Sequence, residues 1–264
     1  MQTIAIFGIT GRMGQSLLRA LAEAPVLALS GAVASANSAR LGQDAAAEGP
    51  PTGVLITADS RLGIRGASVA VDFSVGGGVA EHALACAAAG IPILIGATGL
   101  DPASRGSVEQ AARDVAVLIA PNTSVGVSVA AKLVALAAQG LGPSYDVEIF
   151  EAHHRTKRDA PSGTALALGE AVAAVRGQRL EDVAAHDRAA QSAPRTPGSI
   201  GFSCLRAGDI VGEHTVIFAA AGERIEITHR ATDRMTFARG AVRAAEWLVG
   251  RPAGLYGMQN VLGL

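Results

Sequence analysis

Aromatic side chains are scarce in this sequence: one Trp, two Tyr and six Phe among 264 residues. A core built on stacked rings is excluded. Ala, Val, Leu and Ile must fill it, and an apolar fraction of 49% is enough material to do so. Cysteine is nearly absent, with Cys86 and Cys204 alone and no CxxC spacing. That excludes a disulfide framework and a Cys-rich zinc site. Both thiols stand in apolar contexts and are expected to be small buried hydrophobes in a reducing compartment. Neither sign of charge dominates: 22 Lys and Arg face 23 Asp and Glu, which gives no basis for a nucleic-acid surface. No apolar run reaches membrane-spanning length. The start, Met1-Gln-Thr-Ile-Ala-Ile, enters a strand pattern with no basic flank or cleavage site. A cytoplasmic protein without nucleic-acid or membrane partners is expected. Glycine, in contrast, is plentiful at 32 residues, which suits many tight strand-to-helix turns.

Short apolar runs alternate with helix-length patterns through the first half. Residues 3–7, 27–34, 69–73, 92–95 and 115–119 read as strands. Residues 13–24, 79–89 and 107–114 read as helices, the second stopped by Gly90. Such alternation indicates βαβ units and a parallel sheet. Beyond about Val125 the texture changes. A helix pattern at 127–139 precedes a strand at 146–152, and residues 178–196 form a polar stretch expected to be an exposed excursion. Runs at 200–205, 213–218 and 224–229 then alternate as antiparallel strands do, before a last helix at 237–249. The organisation predicted is a nucleotide-binding domain at 1–125, an inserted α+β domain at 126–233, and a segment at 234–264 that returns to the first domain.

Gly8-Ile-Thr-Gly11-Arg-Met-Gly14 follows the first strand and opens the first helix. A dinucleotide fold needs glycine there for the tight turn, for backbone approach to the pyrophosphate and for helix–strand packing. Gly96-Ala-Thr-Gly99 and Ala120-Pro-Asn-Thr-Ser124 also follow strands, where open α/β sheets bind ligands. The second strand ends Val33-Ala-Ser-Ala-Asn without the carboxylate that would bond ribose hydroxyls and repel a 2′-phosphate. NADPH should therefore be used at least as well as NADH, with Ser35, Arg12 and Arg40 as the nearest groups for a phosphate.

The densest chemistry lies in Glu151-Ala-His-His-Arg-Thr-Lys-Arg-Asp-Ala-Pro-Ser-Gly-Thr164. Two histidines and three cations run into a helix start capped by Ser162, and helix starts attract anions. The pattern fits a receptor for a small carboxylate-bearing molecule. Arg155 and Arg158 crowd Lys157, and like-charge repulsion should lower its pKa and help it give up a proton. His153, His154, His214 and His229 show no HExxH or cysteine spacing, so no metal is expected. His82 and His186 read as structural or solvated.

These motifs resemble the bacterial dihydrodipicolinate reductases of the diaminopimelate–lysine pathway, over residues 8–14, 96–99, 120–127, 151–165, 206–215 and 234–241. The resemblance implies a Rossmann domain, a C-terminal domain with a mixed sheet, and a homotetramer assembled through the latter. It implies hydride transfer from NADPH or NADH to a cyclic unsaturated dicarboxylate. By this match His153 is the proton donor/acceptor and Lys157 the proton donor. His154, Ser162, Gly163 and Thr164 bind substrate. Gly8, Ile9, Thr10, Gly11, Arg12 and Met13 hold the pyrophosphate, and Gly96, Ala97, Thr98, Ala120, Pro121, Asn122 and Thr123 line the nicotinamide pocket; Ser35, from the end of the second strand, joins the cofactor contacts. Family members often carry an aromatic or Met where Thr123 stands. Two other readings share the glycine loop: a dehydrogenase of a small amino acid, and a non-catalytic dinucleotide sensor. Neither has a use for the His-His-Arg-x-Lys string.

Overall fold

The structure is a computed structural model, and it describes residues 1–23, 26–74, 77–186, 188 and 192–264. In chain order the first elements are β1 (Gln2–Phe7), α1 (Arg12–Glu23), β2 (Leu27–Val33), β3 (Ile56–Thr57), α2 (Ser60–Gly63), β4 (Val69–Asp72), α3 (Gly78–Ala89), β5 (Ile93–Ile95), α4 (Pro102–Ala111) and β6 (Ala116–Ile119). There follow α5 (Val125–Leu141), β7 (Asp146–His153), α6 (Gly163–Val175), α7 (Leu180–Val183), β8 (Ala184–Ala185), β9 (Ile200–Arg206), β10 (Gly212–Ala220), β11 (Glu223–Ala231), α8 (Met235–Leu248), β12 (Gly254–Tyr256) and α9 (Met258–Leu262). The chain divides into two compact units, Met1–Val125 with Met235–Leu264, and Gly126–Arg234.

The first unit is a seven-stranded parallel sheet in the order β12-β6-β5-β4-β1-β2-β3. Its central strands are sealed on both faces, so they read as unbroken apolar runs. Ile4 and Ile6 meet Leu17 and Ala20 of α1 and Ala241 and Leu248 of α8. Ala5 and Phe7 point the other way, toward Val79 and Cys86 of α3 and Val108 of α4. Each fully buried Ile or Leu contributes roughly 1.5–3 kcal/mol relative to exposure. The helix stop expected at Gly90 is there, in the left-handed conformation with φ 68°. Helix α4 starts earlier than its apolar pattern indicated, because Asp101 caps Ser104 N and Pro102 opens the first turn. The strand order reverses beside β1, with β2 on one side and β4 on the other, and this is where such sheets form a ligand crevice.

The second unit is a mixed five-stranded sheet, β11-β10-β7-β9-β8. Strand β10 runs antiparallel to β7 and β11, whereas β9 runs parallel to β7. The reading of all three late strands as antiparallel therefore fails for β9, since residue alternation is the same in either direction. Val134 and Ala138 of α5 and Leu168 and Val172 of α6 pack on Val147, Ile149, Val216 and Phe218. The polar excursion is more ordered than expected. It contains α7 and β8, and Arg195 ties it to Asp146, Glu148 and the Val147 carbonyl. Asp187 and residues 189–191 of that stretch, and Ala24 at the first helix's expected end, lie outside the described residues. Cys86 is buried, but Cys204 is exposed, contrary to expectation. Among the described residues no helix is long and apolar enough to cross a membrane.

Candidate active site

In the first unit the glycine loop grips the sheet's switch point. Gly8 takes φ 78°, and its N–H and that of Ile9 both donate to the Val33 carbonyl at the end of β2 (2.9 and 3.1 Å). A Cβ on Gly8 would lie 2.9 Å from the Phe73 carbonyl carbon and the Ser74 nitrogen, and one on Gly14 would lie 2.5 Å from Gly8 O. Only bare backbone fits this cradle. Thr10, Gly11 and Arg12 are exposed at its mouth, Met13 is half-buried and Ile9 is wholly buried. Beside the loop, after β4, Ser74 has a buried hydroxyl without a hydrogen-bond partner. A glycine cradle next to an orphaned hydroxyl at the carboxyl end of a parallel sheet fits a dinucleotide pyrophosphate.

The turn after β5 packs tightly on the strand end beside it, and the turn after β6 is largely buried. Gly96 donates to Asp72 O (2.8 Å), and a Cβ there would strike the Phe73 ring at 2.2 Å. Ala97 is half-buried and Thr98 exposed; Ala120 is buried and Pro121 exposed. Asn122 accepts from Ser124 N (2.9 Å) in a local turn. Thr123, expected at the nicotinamide pocket, is buried, and its hydroxyl donates to Phe237 O (2.7 Å). Ser35 is exposed at the end of β2 and accepts from Asn37 N (3.2 Å). Arg40 is spent elsewhere: Nη2 donates to the Asp44 and Ala46 carbonyls (2.7 and 2.8 Å). Of the two cations considered for a 2′-phosphate, only Arg12 remains exposed at the loop. His82 is structural, stacked on Phe7 and bonded to the buried carboxylate of Asp72 at 2.8 Å.

In the second unit the histidine motif leaves β7 and enters α6. His153 is the last residue of β7 and is buried. Its Nδ1 lies 2.6 Å from Glu151 Oε2. Glu151 is 0% exposed and is also gripped by Arg206, Nη1 on Oε2 and Nη2 on Oε1, both at 2.7 Å. Ser162 N donates to Glu151 Oε1 (3.1 Å), and Ser162 Oγ accepts from Ala165 N as the helix cap while meeting His214 Nε2 at 2.8 Å. The His153 and His214 rings meet edge to face, centroids 5.2 Å apart. His154 contacts Thr156 Oγ1 at 2.8 Å; Gly163 is exposed and Thr164 half-buried at the start of α6. Lys157 Nζ is paired with Asp159 Oδ2 at 2.8 Å. The crowding by cations read from the sequence is therefore answered by a neighbour of opposite sign.

Burial alone would push the Glu151 carboxyl up, but the bonds from Arg206 and His153 outweigh it and hold it at about 2. His153 is lowered from the ordinary imidazole range by burial, which Glu151 only partly offsets. His214 is lowered to about 4, by burial first and by the nearby His153 second. Among the described residues no group of three or more His, Cys, Asp or Glu is arranged to hold a metal ion. Glu151, Arg206 and Asp159 stand in the motifs read from sequence but have no role there, His214 enters there only as a possible metal ligand, and the turn at Asp72, Phe73 and Ser74 only as a strand end. Glu151 carried a usable signal: a carboxylate two residues beyond Ile149 and four beyond Val147 falls on the inward face of a strand.

Residues 2–123 match the family model described as dihydrodipicolinate reductase, N-terminus, and residues 126–262 match the one described as dihydrodipicolinate reductase, C-terminus. The chain belongs to the dihydrodipicolinate reductase family. A 4-hydroxy-tetrahydrodipicolinate reductase of Anaeromyxobacter dehalogenans is 50% identical, with 100% of this chain and 98% of that protein covered. One from Herminiimonas arsenicoxydans is 48% identical over 99% of this chain and 98% of its own. A solved dihydrodipicolinate reductase from Paenisporosarcina sp. TG-14 shares the fold with a TM-score of 0.78 at 23% identity, covering 98% of this chain and 99% of its own. The family's C-terminal region, at 126–262, thus includes α8, β12 and α9, which pack into the first unit.

Proposed function

We propose that His153 and Lys157 are the proton-transferring pair of this reductase, acting on 4-hydroxy-tetrahydrodipicolinate by way of its dehydrated, conjugated form. Membership of the family makes the chain an NAD(P)H-dependent reductase of the diaminopimelate route to lysine. Gly8 to Met13 hold the pyrophosphate, and Gly96 to Thr98 with Ala120 to Asn122 border the nicotinamide. When bound, the nicotinamide supplies the hydride. The chain must then deliver one proton to the resulting enamine and hold positive charge around two carboxylates. Lys157 and Nε2 of His153 share the delivery of that one proton, Lys157 also supplies positive charge, and the start of α6 with Gly163, Thr164 and His154 receives a carboxylate. The observation that carries the reading is His153, buried and oriented by Glu151, at the head of a loop that holds Lys157 and ends at a capped helix start. The solved relative from Paenisporosarcina is described as dipicolinate-bound, which supports a dicarboxylate ligand.

The proposal includes a cytoplasmic homotetramer built on the second unit's sheet. The face opposite α5 and α6 carries Phe150 and Leu205, 38% and 40% exposed, with Arg188 and Arg195 reaching Glu148 on the same side. The test of function is NADPH consumption on the product of dihydrodipicolinate synthase. Turnover inhibited competitively by pyridine-2,6-dicarboxylate is expected; NADPH binding with no turnover and no dicarboxylate effect would leave only a dinucleotide sensor.

A further inference from the structure

We propose that Glu151 is a positioning residue that fixes Nε2 as the working nitrogen of His153 and, through the same carboxylate, anchors the start of α6. The inference rests on the reading of His153 as the proton-exchanging group. An ionised carboxylate can only accept hydrogen bonds. Nδ1 of His153, 2.6 Å from Glu151 Oε2, must therefore carry the ring hydrogen, which leaves the lone pair of the neutral ring on Nε2. That nitrogen is left room on one side. A Cβ on Gly212 would stand 3.0 Å from Nε2, and glycine removes it.

The second carboxylate oxygen accepts from Ser162 N (3.1 Å), the N-cap residue of α6. One side chain thus sets both the ring that exchanges the proton and the helix end that receives the substrate's carboxylate. Arg206 keeps the arrangement rigid. Its two terminal nitrogens fork onto Glu151, and Nη2 also reaches the Asp159 carbonyl (2.6 Å), holding down the loop that carries Lys157. The backbone adds a clamp, since Ala207 N donates to His153 O (2.9 Å). The charged and titratable groups around His153 are Glu151 on β7, Lys157 and Asp159 on the following loop, Arg206 on β9, and His214 on β10. Of these only Glu151 is an anion in direct contact with the ring. Without it the cations dominate and protonation of His153 becomes harder.

The experiment uses the full chain labelled with 15N at histidine, with H153Q identifying the resonances of His153. Long-range 1H–15N spectra of the wild type should show the neutral ring protonated at Nδ1. A ring protonated at Nε2 overturns the proposal, without recourse to any Glu151 variant. E151Q should shift the His153 titration midpoint to lower pH by roughly one unit or more, and lower kcat at least tenfold while NADPH affinity stays within twofold. E151D, which retains the charge, should recover part of both. An unchanged midpoint and kcat in folded E151Q would also overturn it. If E151Q does not fold, the wild-type tautomer decides. Full activity of H153Q would instead remove the reading of His153 as the proton-exchanging group, and would leave the tautomer measurement intact.

Discussion

Lys157 and His153 hold their protons in different settings. The ammonium faces Asp159 on a half-exposed loop, and the imidazole is buried against Glu151. Both serve one proton delivery in the proposed reaction, so Lys157→Ala and His153→Ala should each lower kcat by roughly 10²–10⁴-fold, the usual worth of a positioned acid. The double variant should lose less than the product of the two. NADPH affinity should stay nearly intact, because the glycine loop lies in the other unit. Near wild-type turnover by Lys157→Ala would remove it from the mechanism. The same cluster sets the acid stability of the fold. His214 is depressed from 6.5 to about 4, so its contribution is complete above pH 6.5 and is lost as pH falls toward 4. At about 1.4 kcal/mol per unit, that is roughly 3–4 kcal/mol. Glu151, depressed from 4.5 to about 2, acts in the same direction over the window from 4.5 down to 2. The urea midpoint of the wild type should therefore fall between pH 7 and pH 4.5, and fall less in His214→Gln. A wild-type midpoint that is flat over this range contradicts the assignment.

Helix α8 shows what one missing methyl does for an element. A Cβ on Gly240 would lie 1.9 Å from Thr123 O, so glycine lets the helix seat directly on the backbone of the turn after β6. Gly240→Ala must push helix and turn apart. The expected cost is about 1–3 kcal/mol, seen as a lower Tm, together with a raised KM for NADPH through displacement of Ala120–Asn122. An unchanged Tm would show that the contact relaxes at no cost. The end of β2 carries a second prediction. With no carboxylate there and Arg12 exposed, Ser35→Asp should cut kcat/KM for NADPH more than for NADH, and Arg12→Ala should do the same. A wild type strongly preferring NADH would contradict both. The central strands were legible because burial on both faces turns them into unbroken apolar runs. Two-residue β3, four-residue α2 and the short β12 and α9 were not, since such lengths carry no periodicity. The site divides in the same way. His153, Lys157 and the glycine loop lie in local motifs, each visible in one short stretch of sequence. The Arg206–Glu151 fork joins residues 55 apart through the register of β7 and β9, which no local pattern records.

At the scale of the whole molecule, the second unit's sheet has one face under α5 and α6, and among the described residues none of the unit's helices packs on the other, where Arg188 and Arg195 reach Glu148. Rows on this second face run Thr228–Thr215–Phe150–Ser203 and Arg230–Glu213–Ala152–Leu205 across four strands. Phe150 and Leu205 stand out there beside charged groups that can pair across an interface, which is the mixed apolar and polar make-up of an association surface. A closed symmetric assembly buries this face once per chain. The proposed tetramer should sediment at four times the 26.5 kDa chain mass. Phe150→Glu would then place a charge in the buried centre of the patch without entering the unit's own core, which lies on the opposite side of β7 with Val147 and Ile149. The variant should sediment as smaller species at micromolar concentration and keep its far-UV dichroism. Its Tm should fall and lose its dependence on protein concentration, because association no longer adds to apparent stability. A Phe150→Glu protein that remains tetrameric would place the interface elsewhere on the chain.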